Sequence, residues 1–237
     1  VKKMNIKLNY ILECFWNAVK YIPSTLYIAA LVLIIGFVFG TLIALGRTYR
    51  IKGLSFFLDL YIAIFKAVPV NLIIVASGLI FAMKFNDLAE ALRLAVRVND
   101  INMLYVGVFA LSFTCTTQLS ENIRGALSSI PKGQYEAGYS VGMTPNQTFR
   151  RIVFPQFLLV LIPALTGSII SIIKATSLVI LIGVMDILNG ALKYANAAYC
   201  FFEAYLAAAM IYWMFSLVIQ WSGNALERHL GRYRKEL

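Results

Sequence analysis

Long apolar runs separated by short polar stretches set the pattern of this chain. They extend from about Ile22 to Leu45, Leu54 to Met83, Ile101 to Ile123, Pro155 to Ile173 and Ala204 to Trp221. Each approaches or exceeds the roughly 20 residues that a helix needs to cross a hydrocarbon core of about 30 Å. The runs are continuously apolar, whereas a membrane β-barrel requires alternation. The expectation is therefore an all-α integral membrane protein of one domain with about five transmembrane helices.

The interruptions carry as much information as the runs. Lys66 and Pro69 break the second run, and a lysine at that depth costs about 2.5–3.5 kcal/mol on insertion scales, so it needs a partner or polar surroundings. The second half of the third run turns polar, and Thr114, Gln118, Glu121 and Gly125 fall at the spacing of one helix face. Such a face belongs against protein or a water-filled path. Gly36, Gly40 and Gly46 lie on or near one face of the first run and allow close approach of another helix. Beyond the fourth run, Val179–Leu192 is broken by Gly183, Asp186, Asn189 and Gly190, and reads as a half-helix or as an element lying near the outer face. Residues 84–100 balance their charges and read as an external loop with a short surface helix in DLAEALRLAV.

One polar island remains, Gln134–Pro155. It reads as a short helix from Gly133 to Val141, a break at Gly142 and Pro145, and a second helix from about Asn146 whose polar part ends at Arg150 and Arg151. That shape is a small protruding knob. At the other end of the chain, Lys2, Lys3, Lys7 and Lys20 alternate with Ile6, Tyr10, Ile11, Cys14, Phe15 and Trp16, as in an amphipathic helix lying on the membrane surface. This segment lacks the central apolar block and cleavage site of a signal peptide and is expected to be retained. The resulting division is an N-terminal amphipathic segment 1–21, a transmembrane domain 22–222 containing the 131–155 loop, and a basic tail 223–237.

Composition and charge sharpen this picture. Hydrophobic residues make up 60% of the chain and charged ones 14%, with a mean hydropathy of +0.77. The net charge of +10 is not a nucleic-acid footprint, because the basic residues flank the apolar runs. Arg47, Arg50 and Lys52, then Arg124, Lys132, Arg150 and Arg151, then the tail place those three regions in the cytoplasm and the N-terminus outside, outvoting the basic N-terminal segment. Cys14, Cys115 and Cys200 are far apart in sequence, lack metal-site or CxxC spacing, and read as apolar filler. His229 is the single histidine and lies in the charged tail, and no paired histidines, Ser–His–Asp set or metal-ligand cluster indicates an enzyme. No GxxxxGK[ST] stretch is present to cradle nucleotide phosphates.

Within the island the sequence resembles the permeases of bacterial ABC importers. Their cytoplasmic motif runs EAA, three residues, G, nine residues, I, one residue, L, P. Glu136, Ala137, Gly142, Ile152 and Pro155 match it, while Gly138 stands for the second alanine and Phe154 for the leucine. ENIRGALSSIPKGQ (121–134), FPQ (154–156), KATSL (174–178) and FKAVP (65–69) are similar to stretches of the polar amino acid permeases of the histidine, glutamine, arginine and cystine type. The resemblance covers about residues 20–222. It implies the type I importer fold with a cytoplasmic coupling helix, and localisation in a bacterial cell membrane, the inner or plasma membrane. It also implies a second permease subunit, identical or different, two cytoplasmic ATP-binding subunits that hold the ATP and magnesium, and an extracellular or periplasmic substrate-binding protein. Glu136, Ala137, Gly138, Gly142, Ile152 and Pro155 would then form the ATPase-coupling site.

A zwitterionic amino acid crossing the bilayer needs both charge signs inside. The candidates are Lys174 for the carboxylate and Glu121 for the ammonium, with Gln118, Thr176, Ser177, Thr117 and Asn71 as hydrogen-bonders. Two structural readings stay open beside them: Glu121 paired with Arg124 three residues on, and Lys174 snorkelling to the interface. The family's aspartate after the lysine is Ala175 here, and its tyrosine before the glutamate is Gln118. These departures point to an unusual substrate or to a different permease partner carrying the fuller motifs. Cystine, basic amino acids and amides all fit the resemblance. The alternative reading is an ATP-independent secondary transporter or channel for small polar solutes.

Overall fold

The computed structural model describes residues 7–232. The expectations placed on Lys2, Lys3, Ile6 and residues 233–237 lie outside these residues. The described chain is helical, and five of its helical stretches are long and apolar enough to span a membrane: Ile22–Thr48, Val70–Ala91, Met103–Ser128, Pro145–Ile182 and Phe201–Gly231.

A short helix α1 (Leu8–Val19) leads into α2 (Ile22–Thr48). The second apolar run is two helices, α3 (Leu54–Ala67) and α4 (Val70–Ala91). The break follows from Pro69, which has no N–H to donate and forces Val68 into an extended conformation. The surface helix expected after residue 84 is not separate, because α4 continues through it to Ala91. A 3₁₀ turn at Val98–Asp100 precedes α5 (Met103–Ser128), which is capped by the Asn102 side chain accepting from the Leu104 N–H. Helices α6 (Lys132–Ser140) and α7 (Pro145–Thr148) form the island. A π-helical turn, Phe149–Val153, runs from α7 without a break into α8 (Phe154–Ala175), which passes into a 3₁₀ segment, Thr176–Ile182. The expected half-helix thus divides at Gly183, whose φ of +75° only glycine adopts without strain, and resumes as α9 (Ile187–Ala198). The fifth run, α10 (Phe201–Arg232), carries the first part of the basic tail as helix.

Glycines bring α2 and α5 together. A Cβ on Gly36 would lie 2.4 Å from the Cys115 sulfur, and one on Gly40 would lie 3.0–3.1 Å from Leu119 and the backbone of Thr116 and Ser120. Residue numbers rise together along this seam, so the two helices are parallel and both run toward the 130–155 loop. Gly46 does the same job against Leu58 of α3. Helix α8 returns from the loop antiparallel to α5: Phe157 and Leu161 pack with Ile123 and Ala126, while Ile172 and Ile173 pack with Leu111 and Cys115. The main core lies where α2, α4, α5, α8 and the 3₁₀ segment meet. At the end away from the loop, α1, α9 and the start of α10 build a second core around Ile187, Ala191, Ala195, Ala204 and Ala207. Side chains such as Ile34, Phe37, Phe39 and Leu42 remain exposed, as lipid-facing positions require.

Candidate functional site

Two sites emerge at the loop end of the bundle. The first is the knob itself. Helix α6 runs from Lys132 to Ser140 with Val141 as its C-cap, and Gly142, at φ +80°, turns the chain back. Thr144 then caps α7 in a reciprocal pair with Gln147: the Gln147 N–H donates to Thr144 Oγ1 at 3.3 Å and the Thr144 N–H to Gln147 Oε1 at 2.9 Å. Pro145 occupies the first helical position, where a missing N–H costs nothing. At the base, Gln156 donates to Gln134 Oε1 at 3.0 Å and ties α8 to α6. Glu136 is the fifth residue of α6 and not in its first turn, so the helix dipole contributes little to it. It is exposed, as are Ala137, Gly142 and Pro155, whereas Ile152 is half-buried. Tyr139, Val141, Phe149 and Phe154 are also exposed, Val141 by 70%. A polar knob bearing this much open apolar surface has the character of a docking surface.

Gly138 is buried at the contact between the two arms of the knob. A Cβ there would lie 2.5 Å from Thr148 Cγ2 and 2.7 Å from its Oγ1. Thr148 is fully buried, and its β-branch leaves little room to rotate. Gly138 is therefore the counterpart of Thr148. Gly138→Ala is expected to lower the thermal stability of the purified protein, and Gly138→Ala with Thr148→Ala to restore most of it; melting curves in detergent that show no recovery would count against this pairing.

The second site is a cluster of charges between α2, α3 and α5. Arg47 donates through Nε to Asp59 Oδ1 at 2.6 Å and through Nη1 to Glu121 Oε1. Lys66 reaches Glu121 Oε2 at 3.4 Å, and Arg124 approaches Oε1 at 3.7 Å. The Arg47 side chain is only 11% exposed and that of Glu121 28%. Lys66 has a partner, but it stands in the last turn of α3, which is not one of the five candidate spans, and its side chain is 67% exposed, so the depth expected of it is not found. Glu121 has three cations around it, of which Arg124 is the most distant. In the sequence reading Arg47 served only to mark a cytoplasmic loop and Asp59 had no role, although an acid inside the apolar stretch FFLDLYIAIF was the available signal.

The other proposed path residues are placed separately. Lys174, at the last turn of α8, is exposed and forms no ion pair with the described residues. Thr176 is fully buried and donates to the Ile173 carbonyl, and Ser177 donates to that of Lys174. Thr117, also buried, donates to the Phe113 carbonyl. Gln118 is half-buried and Asn71 exposed. Glu121 and Lys174 are not brought together as an ion pair. A buried polar knot also lies at the far end: Tyr212 donates to Asp186 Oδ2 at 2.8 Å, the Asn189 N–H to Oδ1 at 2.9 Å, and the Ile187 N–H to Thr25 Oγ1 at 3.1 Å. It fixes the Gly183–Asp186 bend against α2 and α10.

Residues 3–232 match the family described as binding-protein-dependent transport system inner membrane component. The L-cystine transport system permease protein TcyL of Bacillus subtilis (strain 168) is 32% identical over 212 residues, covering 90% of this chain and 86% of that protein. The probable amino-acid ABC transporter permease protein PatM of Vibrio harveyi is 32% identical over 212 residues, covering 89% and 90% respectively. Among solved structures, a chain from an amino acid ABC transporter crystallised with histidines superimposes with a TM-score of 0.77 at 24% identity, over 95% of this chain and all of that one. A chain of the MetNI methionine ABC transporter in an inward-facing conformation superimposes at 0.68 and 19% identity, over 91% of this chain and 96% of that one. The fold is that of the type I importer permeases.

Proposed function

Because this chain belongs to the family of binding-protein-dependent transport system inner membrane components, as a multi-pass permease of the cell membrane, we propose that it carries a polar amino acid inward under the drive of separate ATP-hydrolysing subunits. The observation that carries this reading is the knob. The motif residues Glu136 and Ala137 lie exposed beside Tyr139 and Val141, at the end of the bundle where basic residues collect. Two ATPase subunits, a second permease and a substrate-binding protein complete the assembly, and the 131–155 loop is the surface the ATPase grips. The loop faces the cytoplasm in this reading, and α1 and α9 lie at the outer end.

Polar amino acids are supported as the substrate class by relatives named for cystine, arginine, nopaline and glutamate transport. Of the two charges read for a zwitterion, Lys174 is exposed and holds the carboxylate in this proposal. Glu121 is engaged by Arg47, Lys66 and Arg124, so the ammonium is met elsewhere in the assembly, with Gln118 and Asn71 as hydrogen-bonders along the path. Thr176 shapes the end of α8 from inside, and Ser177 caps it.

The test is competition for uptake by the complete complex with its cognate binding protein in vesicles, using a panel of labelled amino acids. Uptake is expected to require ATP inside the cytoplasmic compartment and to be competed by free amino acids but not by their carboxamides. Uptake that follows an ion gradient without ATP would overturn the reading.

A further inference from the structure

Cys14 and Cys200 are 186 positions apart in sequence, yet their sulfurs lie 3.9 Å apart. Cys14 projects from α1 and is fully buried; Cys200, 4% exposed, is the second of the two residues between α9 and α10. Both belong to the second core, in which α1 packs on α9 and α10. A disulfide needs an S–S separation of about 2.05 Å. The two thiols are already within hydrogen-bonding distance, so forming the bond requires the sulfurs to approach by roughly a further 1.9 Å. Cys115 stands apart, at the α2–α5 seam against Gly36.

We propose that Cys14 and Cys200 are a reversible disulfide site that staples α1 to the α9–α10 corner. The proposal goes beyond the transport function and rests on that orientation only for its redox setting: with the loop in the cytoplasm, this corner lies on the oxidising side of the membrane. The oxidant is a low-molecular-weight disulfide such as oxidised glutathione. The Cys200 thiolate attacks one sulfur of that disulfide, forming a mixed disulfide and releasing one glutathione thiol. Cys14 then attacks the Cys200 sulfur, the bond to glutathione breaks, and the second glutathione thiol leaves. Two protein thiols are oxidised to one disulfide, and one small disulfide is reduced to two thiols.

The corner suits this order. Tyr199 stands in the left-handed region at φ +54° and is 86% exposed, so the chain beside Cys200 reaches solvent. Burial, reinforced by the Cys200 sulfur and the Glu203 and Glu13 carboxylates, pushes the Cys14 thiol up to about 12. Cys14 therefore does not initiate exchange; in the second step its proton passes to the departing glutathione sulfur as the Cys14 sulfur bonds to that of Cys200.

The test uses the intact complex, purified in detergent under reducing conditions, desalted and incubated with excess oxidised glutathione. After acid quenching and denaturation, a polyethylene-glycol maleimide reports free thiols on this chain. The expected result is three additions before oxidation, one after it and three again after dithiothreitol, with the intact mass falling by two hydrogens on oxidation. Cys115→Ala is expected to retain the loss of two hydrogens, while Cys14→Ala and Cys200→Ala each abolish it. Three additions after oxidation, or only a gain of glutathione mass without an internal bond, would overturn the proposal.

Discussion

Glu136→Lys combined with Gly142→Asp is expected to lower substrate-driven ATP hydrolysis by the assembled complex by about two orders of magnitude, while the chain still reaches the membrane and folds. The two changes act on one surface by different means. Gly142 holds φ +80°, where a side chain costs about 1–2 kcal/mol, and it sets the angle between α6 and the α7–α8 arm. Nothing lies within 4 Å of a Cβ there, so the penalty comes from the backbone and not from a clash. Glu136 is exposed in the middle of α6, where reversing its charge scarcely affects this chain but repels whatever cation meets it. The core residues nearest the loop, Ile123, Ala126, Phe157 and Leu161, are untouched. ATPase activity in proteoliposomes with saturating binding protein measures the effect. Unchanged coupled turnover would remove the role given to this loop.

Glu121→Gln is the second large effect, and it falls on stability. It leaves Arg47, Lys66 and Arg124 without their shared anion, although Arg47 keeps Asp59. Removing one partner of a fully buried pair costs about 3–5 kcal/mol. Here Glu121 is more than a quarter exposed and Asp59 remains, so a loss of about 1–3 kcal/mol is expected, read as a lower unfolding midpoint in detergent. Arg47→Gln with Glu121→Gln should cost less than the sum of the single changes, because the second removes a charge that the first has already orphaned. A Glu121→Gln protein with an unchanged midpoint but weakened substrate affinity would instead make Glu121 the ammonium site.

What could be read from the sequence divides along physical lines. The spans were legible because membrane insertion is a local property of each run, and the break at Pro69 because proline acts on its own backbone. The knob was legible because Gly142 and Pro145 mark a break between two short helices within a few residues, although the Thr144 cap was not read. Pairing was not legible. Lys66 announced a need for a partner, but the choice of Glu121 depends on how α3 lies against α5. Gly138 showed as a departure from the motif, yet its reason, Thr148, lies on the other arm. The cysteines read as filler because spacing along the chain says nothing about two residues that meet only when α1 folds onto the α9–α10 corner. The path residues scattered for a related reason: a face on one helix becomes a path only when the opposite wall is known.

The junction at Phe149–Val153 has a mechanical consequence. Because the π-helical turn joins α7 to α8 without a loop, Pro145–Ile182 is one continuous helical stretch of 38 residues, with Pro163 inside it. At about 1.5 Å per residue it is roughly 57 Å long. A tilt of about 5° around its midpoint carries each end about 2.5 Å, in opposite directions. The other arm of the knob has no such continuity, since Ser129–Pro131 separates α6 from α5. The loop thus has one continuous limb and one jointed limb, and in the proposed coupling the continuous limb carries its displacement to Lys174 and into the 3₁₀ segment.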